Sequence, residues 1–335
     1  MNTSRVAPGQ TLDGRFYLTE ELARGGMSTV FKARDLDNDH APVVVKIPLP
    51  VFASGVGTWS MFQREVEIGR RLDHPFVLRY LSHAGDARPS YVATEFVPGP
   101  TLADHITARG QLPESEALAI ASQLSTAIDH VHGHQFVHYD LKPTNVMLCP
   151  DGTIRLIDFG LAHAAVKRRF TLSGNFPAIG SSGYVAPEQI RHKRGRKSVD
   201  IYGIGAVLYE MLTGRQPFPG DDPFRVASAR VIGDPPRPRS LNPRISPEVE
   251  EIVLRALRRN PDERYSSAAA LRADLDDPGR VVVSGLAERL HPPTRWRRAL
   301  HLGRYIALVA FVPILTQVGL FYLLWQHFAA HAHGR

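Results

Sequence analysis

The chain has 335 residues, 43% hydrophobic and 22% charged, which fits one or two globular domains and excludes collagen, coiled coil and wholesale disorder. Its single cysteine, Cys149, excludes a disulfide framework and a four-thiolate zinc site, and it suits a reducing compartment. The net charge of +7 is concentrated in residues 279–304, where six arginines stand against one glutamate. The remainder is nearly neutral, so we do not expect a nucleic-acid-binding protein.

The first third of the chain has the pattern of β-strands. Short apolar runs with alternation occupy residues 16–18, 29–33 and 43–47. The turn between the first two runs contains adjacent glycines, and such a turn lets backbone N–H groups approach phosphates. Lys46 lies in the third run, and it needs a partner because an unpaired buried charge is costly. Glu65, in a helical stretch 19 residues later, can supply one, although coincidental surface charge is an open alternative.

The following part of the chain has helical periodicity. From Glu114, apolar residues recur at three- and four-residue steps, and residues 199–213 and 249–259 are further predicted helices. His130, His132 and His134 alternate at the end of the first of these helices, and we interpret them as a solvated turn. The proline-rich residues 234–247 predict a loop. A strand-rich part followed by a helical part indicates two lobes of different class.

Four polar motifs follow one another in the helical part. Asp140, Lys142 and Asn145 fall within six residues, Asp158 opens an Asp-Phe-Gly triplet after an apolar run, and an Ala-Pro-Glu triplet and Arg264 follow. Two carboxylates and an amide suit Mg²⁺, which prefers oxygen ligands. Phosphoryl transfer needs metals, a cation and backbone donors more than covalent chemistry. Any one motif alone has the plain interpretation of a polar loop, but their joint spacing is not a chance pattern.

On these motifs, residues 12–275 resemble the eukaryotic-type, or Hanks-type, Ser/Thr protein kinases of bacteria that carry a membrane anchor. The resemblance implies an α+β, two-lobed fold: a small antiparallel β-sheet lobe over residues 12–96 and a large helical lobe over residues 97–275. It implies an ATP-dependent enzyme that phosphorylates Ser and Thr of proteins and itself, with Mg²⁺, or alternatively Mn²⁺, as the ion. The alternative is a pseudokinase scaffold that binds partners without phosphoryl transfer.

The resemblance also implies a role for each matched residue. Asp140 accepts the proton of the substrate hydroxyl, Lys142 contacts the γ-phosphate and marks Ser/Thr specificity, and Lys46 holds the α- and β-phosphates while it pairs with Glu65. Asn145 and Asp158 bind the metal, Glu188 pairs with Arg264, and Asp200 anchors the catalytic loop. The implied ATP-binding residues are Leu22, Arg24, Gly25, Gly26, Met27, Ser28, Val30, Val44, Lys46, Thr94 as gatekeeper, Glu95 and Val97 of the hinge, and Met147. The activation segment includes Phe159, Gly160, Thr171, Ser173 and Ser181.

The chain departs from the family pattern at several of these positions. Val44 replaces the alanine that usually roofs the adenine, which predicts weaker ATP binding. Tyr139 replaces the arginine that usually binds an activation-segment phosphate, so a phosphorylated Thr171 or Ser173 lacks its usual cation. Ser181 replaces a threonine whose hydrogen bond serine can also make. In the glycine loop, Ala23 and Ser28 stand where the first and third glycines usually lie, and only Gly25 and Gly26 remain.

The end of the chain predicts a membrane anchor. Residues 305–328 contain no Asp, Glu, Lys or Arg, and as a helix they extend about 36 Å, enough for a hydrocarbon core of about 30 Å. Basic residues 276–304 precede this span, so the positive-inside rule predicts a single-pass protein of the inner membrane with a cytoplasmic kinase domain. Residues 1–11 and 329–335 are predicted short tails. The expected partners are protein substrates, the bilayer and, as a candidate, a second copy of the chain.

Overall fold

The structure, a computed structural model, describes residues 6–25, 28–49, 56–84, 90–159, 163–164, 183–191 and 196–291. Within these residues, an antiparallel sheet forms the first lobe, in the strand order β1-β2-β3-β4-β6-β5. This agrees with the small sheet lobe that the sequence predicts. The strands are β1 (Thr11–Leu12), β2 (Phe16–Arg24), β3 (Ser28–Asp35), β4 (Ala41–Pro48), β5 (Tyr80–Ala84) and β6 (Tyr91–Glu95).

The two faces of the sheet have different environments, as the period of two along a strand requires. On β4, Val43, Val45 and Ile47 are buried in a core cluster with Phe16 and Phe31. The side chains between them point to the opposite face, which meets helix α1 (Val56–Gly69) and the cleft below it. Phe62 and Val66 of α1 pack on Val92 of β6 and hold the helix against this face.

The second lobe is helical, and its largest apolar cluster surrounds helix α5 (Ser198–Thr213). The other elements of this lobe in the described residues are α2 (Leu102–Arg109), α3 (Glu114–Gly133), β7 (Phe136–Val137), a 3₁₀ turn (Pro143–Asn145), β8 (Val146–Leu148), β9 (Ile154–Leu156), β10 (His163–Ala164), α4 (Pro187–Ile190), α6 (Pro223–Ile232), α7 (Pro238–Leu241), α8 (Pro247–Ala256), a 3₁₀ turn (Pro261–Glu263), α9 (Ala268–Asp276) and two further 3₁₀ turns (Pro278–Arg280 and Ala287–Arg289). Helix α5 is buried over almost its whole length because α3 and α8 cover it. An apolar helix with so little amphipathic character is typical of the centre of a lobe.

Local sequence signals account for where several of these helices begin and end. Thr101 caps α2 in a reciprocal capping box with Asp104, and Ser246 and Ser267 each cap a later helix through the side-chain oxygen. Gly214 ends α5 in the left-handed conformation, with φ of 67°. The proline-rich residues 234–247, predicted as a loop, contain the single helical turn α7.

Residues 277–291, the first part of the predicted basic linker, pack against the helical lobe. The Glu251 carboxylate of α8 accepts hydrogen bonds from the Ser284 and Leu286 N–H groups at 3.1 and 3.2 Å. The His291 N–H donates to the Asp234 carboxylate at 2.9 Å, and the His291 carbonyl accepts from the Asp234 N–H at 3.0 Å. The ordered structure therefore continues beyond α9 through contacts with two buried carboxylates.

The predicted membrane span, residues 305–328, lies outside the described residues. Among the helices of the described ranges, none is both long enough and apolar enough to cross a membrane.

Candidate active site

One face of the sheet forms the upper wall of the cleft between the lobes. Val44 and Lys46 alternate with the buried residues of β4 and so share its other face. Val30 lies directly opposite Lys46 on β3, and Thr94 lies directly opposite Val44 on β6. Val44, which we predicted to crowd the adenine, therefore lies on the cleft face beside the predicted gatekeeper Thr94.

A partly buried ion pair connects this wall to helix α1. The Lys46 ammonium donates to both Glu65 carboxylate oxygens, at 2.8 and 2.7 Å, and lies 3.8 Å from Oδ1 of Asp158. Burial lowers the pKa of Lys46, but the Glu65 and Asp158 carboxylates raise it by more, so the pKa of Lys46 lies above its usual value. Burial raises the pKa of Glu65, and Lys46 opposes that rise. Lys46 and Glu65 therefore form a specific contact between β4 and α1, and they are not coincidental surface charges.

The lower wall holds the second group of polar side chains. Oδ2 of Asp140 accepts from the Lys142 ammonium at 2.6 Å and from the Asn145 amide at 3.2 Å, and the same amide donates to the Asp140 carbonyl at 2.9 Å. The Ile157 N–H donates to the Asn145 carbonyl at 2.9 Å, which ties the loop before Asp158 to the loop that carries Asp140. One continuous network therefore extends from Lys142 to Lys46.

Asp200 fixes the backbone of the loop that carries Asp140. Its carboxylate, 1% exposed at the start of α5, accepts from the His138 and Tyr139 N–H groups, both at 2.8 Å. Nε2 of His132 lies 2.8 Å from the same carboxylate. The interpretation of His132 as part of a solvated turn is wrong: it is buried because Asp200 offers it a polar partner inside the lobe.

Tyr139 adopts a conformation that non-glycine residues rarely take, with φ of 67°. The Asp200 contact to its N–H and a Gln189 side-chain contact to its carbonyl, at 3.2 Å, hold it there. Its ring packs against the helical core, and burial, with a smaller effect of Asp200, raises its pKa to about 12. The side chain at this position is therefore a neutral, packed phenol.

Glu188 and Arg264 form an ion pair in which both partners are buried. The guanidinium donates to both carboxylate oxygens, at 2.7 and 2.8 Å, and also to the Ser198 and Arg258 carbonyls. A bidentate pair with its further donors satisfied is the geometry in which a buried ion pair is tolerated. It fixes α4, and with it the end of the activation segment, against the start of α5.

The remaining predicted residues fall into two groups. Phe159 is fully buried and meets the His138 ring edge to face at 5.0 Å, and the Gly25 N–H closes the β2–β3 turn on the Ser28 carbonyl at 2.9 Å. Leu22 and Arg24 are exposed on β2, Ser28 begins β3, Glu95 ends β6, Val97 is buried just after it, and Met147 lies on β8. Gly26, Met27, Gly160, Thr171, Ser173 and Ser181 lie outside the described residues.

The residues present fit a divalent cation that shares its ligands with a phosphate. The Asn145 amide nitrogen is held by Asp140, which leaves the amide oxygen as the ligand atom, and the Asp158 side chain is 43% exposed toward the cleft. No cluster of three or more His, Cys, Asp or Glu side chains that could hold a metal occurs in the described part of the chain. Two oxygen ligands with phosphate and water completing the shell suit Mg²⁺.

Comparison with known proteins agrees with this geometry. The family model described as protein kinase domain matches residues 16–275. The chain belongs to the protein kinase family. The Ser/Thr-protein kinase PknB of Mycolicibacterium smegmatis is 36% identical over 270 residues, which are 79% of this chain and 43% of that protein. PrkC of Bacillus subtilis is 35% identical over 267 residues, 80% of this chain and 41% of that protein.

The chain spans less than half the length of either relative. PknL of Mycobacterium tuberculosis, at 31% identity, is matched over 66% of its length. The two-lobed kinase fold expected from the motifs is confirmed by the family match and by the sheet and helical lobes.

Two residues of the kinase site were not predicted from the sequence. His132 contacts Asp200, and Tyr80 of β5 contacts Glu65, its hydroxyl donating at 3.4 Å. An imidazole or a phenol at a helix end or in a strand gives no local signal of such a partner, since the partners are 68 and 15 residues away in the sequence.

Proposed function

We propose that this kinase domain transfers the γ-phosphate of ATP to Ser and Thr hydroxyls of proteins. The observation that carries the proposal is the continuous polar network that joins Lys46, Glu65 and Asp158 to Asp140, Lys142 and Asn145 across one cleft. The Ser/Thr names of the relatives support the choice of acceptor, as does Lys142 two residues after Asp140.

Each member of the network has a task in the proposed reaction. In the part of the chain that the structure describes, both contacts to the Asp140 carboxylate involve Oδ2, so Oδ1 is the oxygen suited to accept the proton of a substrate hydroxyl. Lys142, at 2.6 Å from the same carboxylate, places positive charge where the attacking oxygen and the transferred phosphate meet. Asn145 and Asp158 would hold Mg²⁺, which neutralises phosphate charge when bound. Lys46, oriented by Glu65, would bind the other phosphates.

The proposal is tested by measuring phosphate transfer from ATP to casein and to the chain itself, with the acceptor residues identified by mass spectrometry. Asp140→Asn should lower kcat by about 10²-fold or more while nucleotide still binds, because a general base contributes 10²–10⁴. Asp158→Asn should also lose Mg²⁺-dependent nucleotide affinity. Asp151→Asn is the matched control, since Asp151 lies in the β8–β9 turn and contacts Thr153 outside the network.

The outcomes separate an enzyme from a scaffold. Phosphoserine or phosphothreonine formed by the unaltered chain and lost in Asp140→Asn supports the proposal. Nucleotide binding without transfer by the unaltered chain would support the pseudokinase alternative, which Val44 and Tyr139 favour. Transfer by Asp140→Asn at the level of Asp151→Asn would remove Asp140 from its role.

We further propose that residues 305–328 anchor the kinase domain on the cytoplasmic face of a membrane. The support is in the sequence: the uncharged span and the arginines that precede it. A C-terminal tag on the full chain in intact cells should be cleaved by external protease while the kinase domain is protected. A protected tag on a chain that fractionates with soluble proteins would refute the anchor.

A further inference from the structure

Helix α1 ends in a glycine that leaves a gap beside the Lys46–Glu65 pair. Gly69 lies four residues after Glu65, so the two lie on the same face of the helix, about 6 Å apart along its axis. Gly69 is buried, and a Cβ added to it would lie under 3.0 Å from three ring atoms of Tyr80. The aromatic ring therefore occupies the volume that any side chain at position 69 would fill.

Tyr80 enters this gap from the sheet. It lies opposite Thr94 in the β5–β6 register, and its ring packs against both the large helical-lobe cluster and the Phe62–Val66–Val92 cluster under α1. The distance along the helix from Gly69 to Glu65 is close to the length of a tyrosine side chain. The ring that covers Gly69 thus carries its hydroxyl to Glu65, where it donates to Oε1 at 3.4 Å.

The chemical state of the phenol suits it to this contact. Burial, together with the nearby Glu65 and Asp158 carboxylates, raises the pKa of Tyr80 well above its usual range, so the hydroxyl keeps its proton and donates. A hydrogen-bond donor favours the ionised form of a carboxylate. The Tyr80 hydroxyl therefore lowers the pKa of Glu65, which burial raises. Lys46 and Tyr80 are then two donors that hold one buried carboxylate from different strands of the sheet.

We infer that Tyr80 is a positioning residue for nucleotide binding: its ring fills the space left by Gly69 and its hydroxyl fixes the Glu65 carboxylate that orients Lys46. Gly69 and Tyr80 form one unit, in which the glycine is required because the tyrosine is present. This inference rests on the proposed role of Lys46 as a ligand of the ATP phosphates, and it adds a residue that acts through Glu65.

The test compares Tyr80→Phe with Tyr91→Phe in the full chain. Tyr91 lies on the neighbouring strand, and its hydroxyl donates to the Asp13 carboxylate at 2.7 Å and not to Glu65. Fluorescent ADP binding, kcat, KM for ATP and the thermal unfolding of the nucleotide-free proteins are measured for both. Tyr80→Phe should weaken ADP affinity and raise KM for ATP by about two- to fivefold, the low end for one long hydrogen bond to a charged group.

Tyr91→Phe should leave ADP affinity and KM unchanged and lose at least as much thermal stability, because its hydrogen bond is the shorter one. Equal effects of the two variants on affinity would show that the hydroxyls contribute only stability, and they would overturn the inference. No effect of Tyr80→Phe on affinity in a chain that binds ADP would overturn it as well. A chain that binds no nucleotide at all would instead refute the proposed function.

A second pair of variants tests the coupling of the two positions. Gly69→Ala should lower ADP affinity by more than Tyr80→Phe does, because the new methyl group displaces the whole ring. The double variant Gly69→Ala/Tyr80→Leu should regain thermal stability relative to Gly69→Ala, since a shorter side chain leaves room for the methyl group. Additive losses in the double variant would show that the positions are independent and would overturn the inference.

Discussion

Replacement of Asp200 by asparagine is expected to separate the catalytic loop from its support. Asp200 is almost completely buried, and its two oxygens accept from the His138 and Tyr139 N–H groups, with His132 as a third partner. Asparagine keeps the shape but has one acceptor oxygen, so its NH₂ group must face at least one of the two N–H donors.

The size of the effect follows from these contacts. Each buried N–H group left without an acceptor costs about 1–3 kcal/mol, so with one or two such groups we expect a loss of about 2–4 kcal/mol. That loss corresponds to a fall in Tm of roughly 5–15 °C for a domain of this size. Tyr139, held at positive φ by the same carboxylate, should also relax and shift Asp140, and a displacement of about 1 Å can cost 10²-fold in rate.

The assay measures kcat and KM for ATP at a temperature where all variants are folded, together with Tm. Asp200→Asn should lower kcat by about tenfold or more with KM for ATP little changed, because Lys46 and Glu65 belong to the other lobe. Asp234→Asn is the matched control: Asp234 is also buried in the helical lobe, but it contacts Arg259 and His291. A kcat for Asp200→Asn equal to that of Asp234→Asn would refute the reasoning.

Three further outcomes are expected. Val44→Ala should strengthen ATP binding, because overpacking of a pocket costs about 1–3 kcal/mol; an unchanged or weaker affinity in a nucleotide titration would show that the cleft already accommodates valine. Phosphatase treatment should lower the transfer rate only modestly, since the packed, neutral phenol of Tyr139 offers no charge to an activation-segment phosphate; a collapse beyond about tenfold would imply another cation. A chain that ends at Asp276 should melt below one that ends at His291 in a thermal scan, because residues 277–291 cover Glu251; equal Tm values would show that this segment contributes no stability.

The features that could be predicted from the sequence are those with a local signal. The alternation of β4 distinguishes its buried valines from Lys46, and the periodicity after Glu114 predicts the helix Glu114–Gly133 at its observed start. The polar motifs could be recognised in the sequence because phosphoryl transfer needs carboxylates, an amide and an amine close together. Only the family resemblance predicted that these motifs lie in one cleft, because no local sequence pattern indicates that Lys46 lies 3.8 Å from Asp158.

The features that escaped prediction depend on partners far apart in the chain. Gly69 at a helix end has the ordinary interpretation of a helix stop, and only the fold brings Tyr80 over it. The sequence suggested a linker for all of residues 276–304, whereas residues 277–291 pack on the helical lobe. Their contacts with Glu251 and Asp234 are made mainly by backbone N–H groups, which every sequence has. A segment that contributes only backbone groups to a hydrogen bond carries no sequence signal of that bond.

The buried and partly buried charges of this protein position its structural elements more than they stabilise the fold. Two charges taken from water regain in mutual attraction about what they lose in hydration, so a buried pair adds little net stability over apolar residues. Arg264 nevertheless joins α4 to the start of α5, because it contacts both Glu188 and the Ser198 carbonyl. Lys46–Glu65 joins β4 to α1, and Asp200 holds the loop of Asp140. Each contact fixes the direction as well as the distance between two elements, which apolar packing does less strictly. Since the groups that these contacts position must meet within about 0.5 Å for transfer to occur, the cost of burying charge is offset by the geometry it imposes on the cleft.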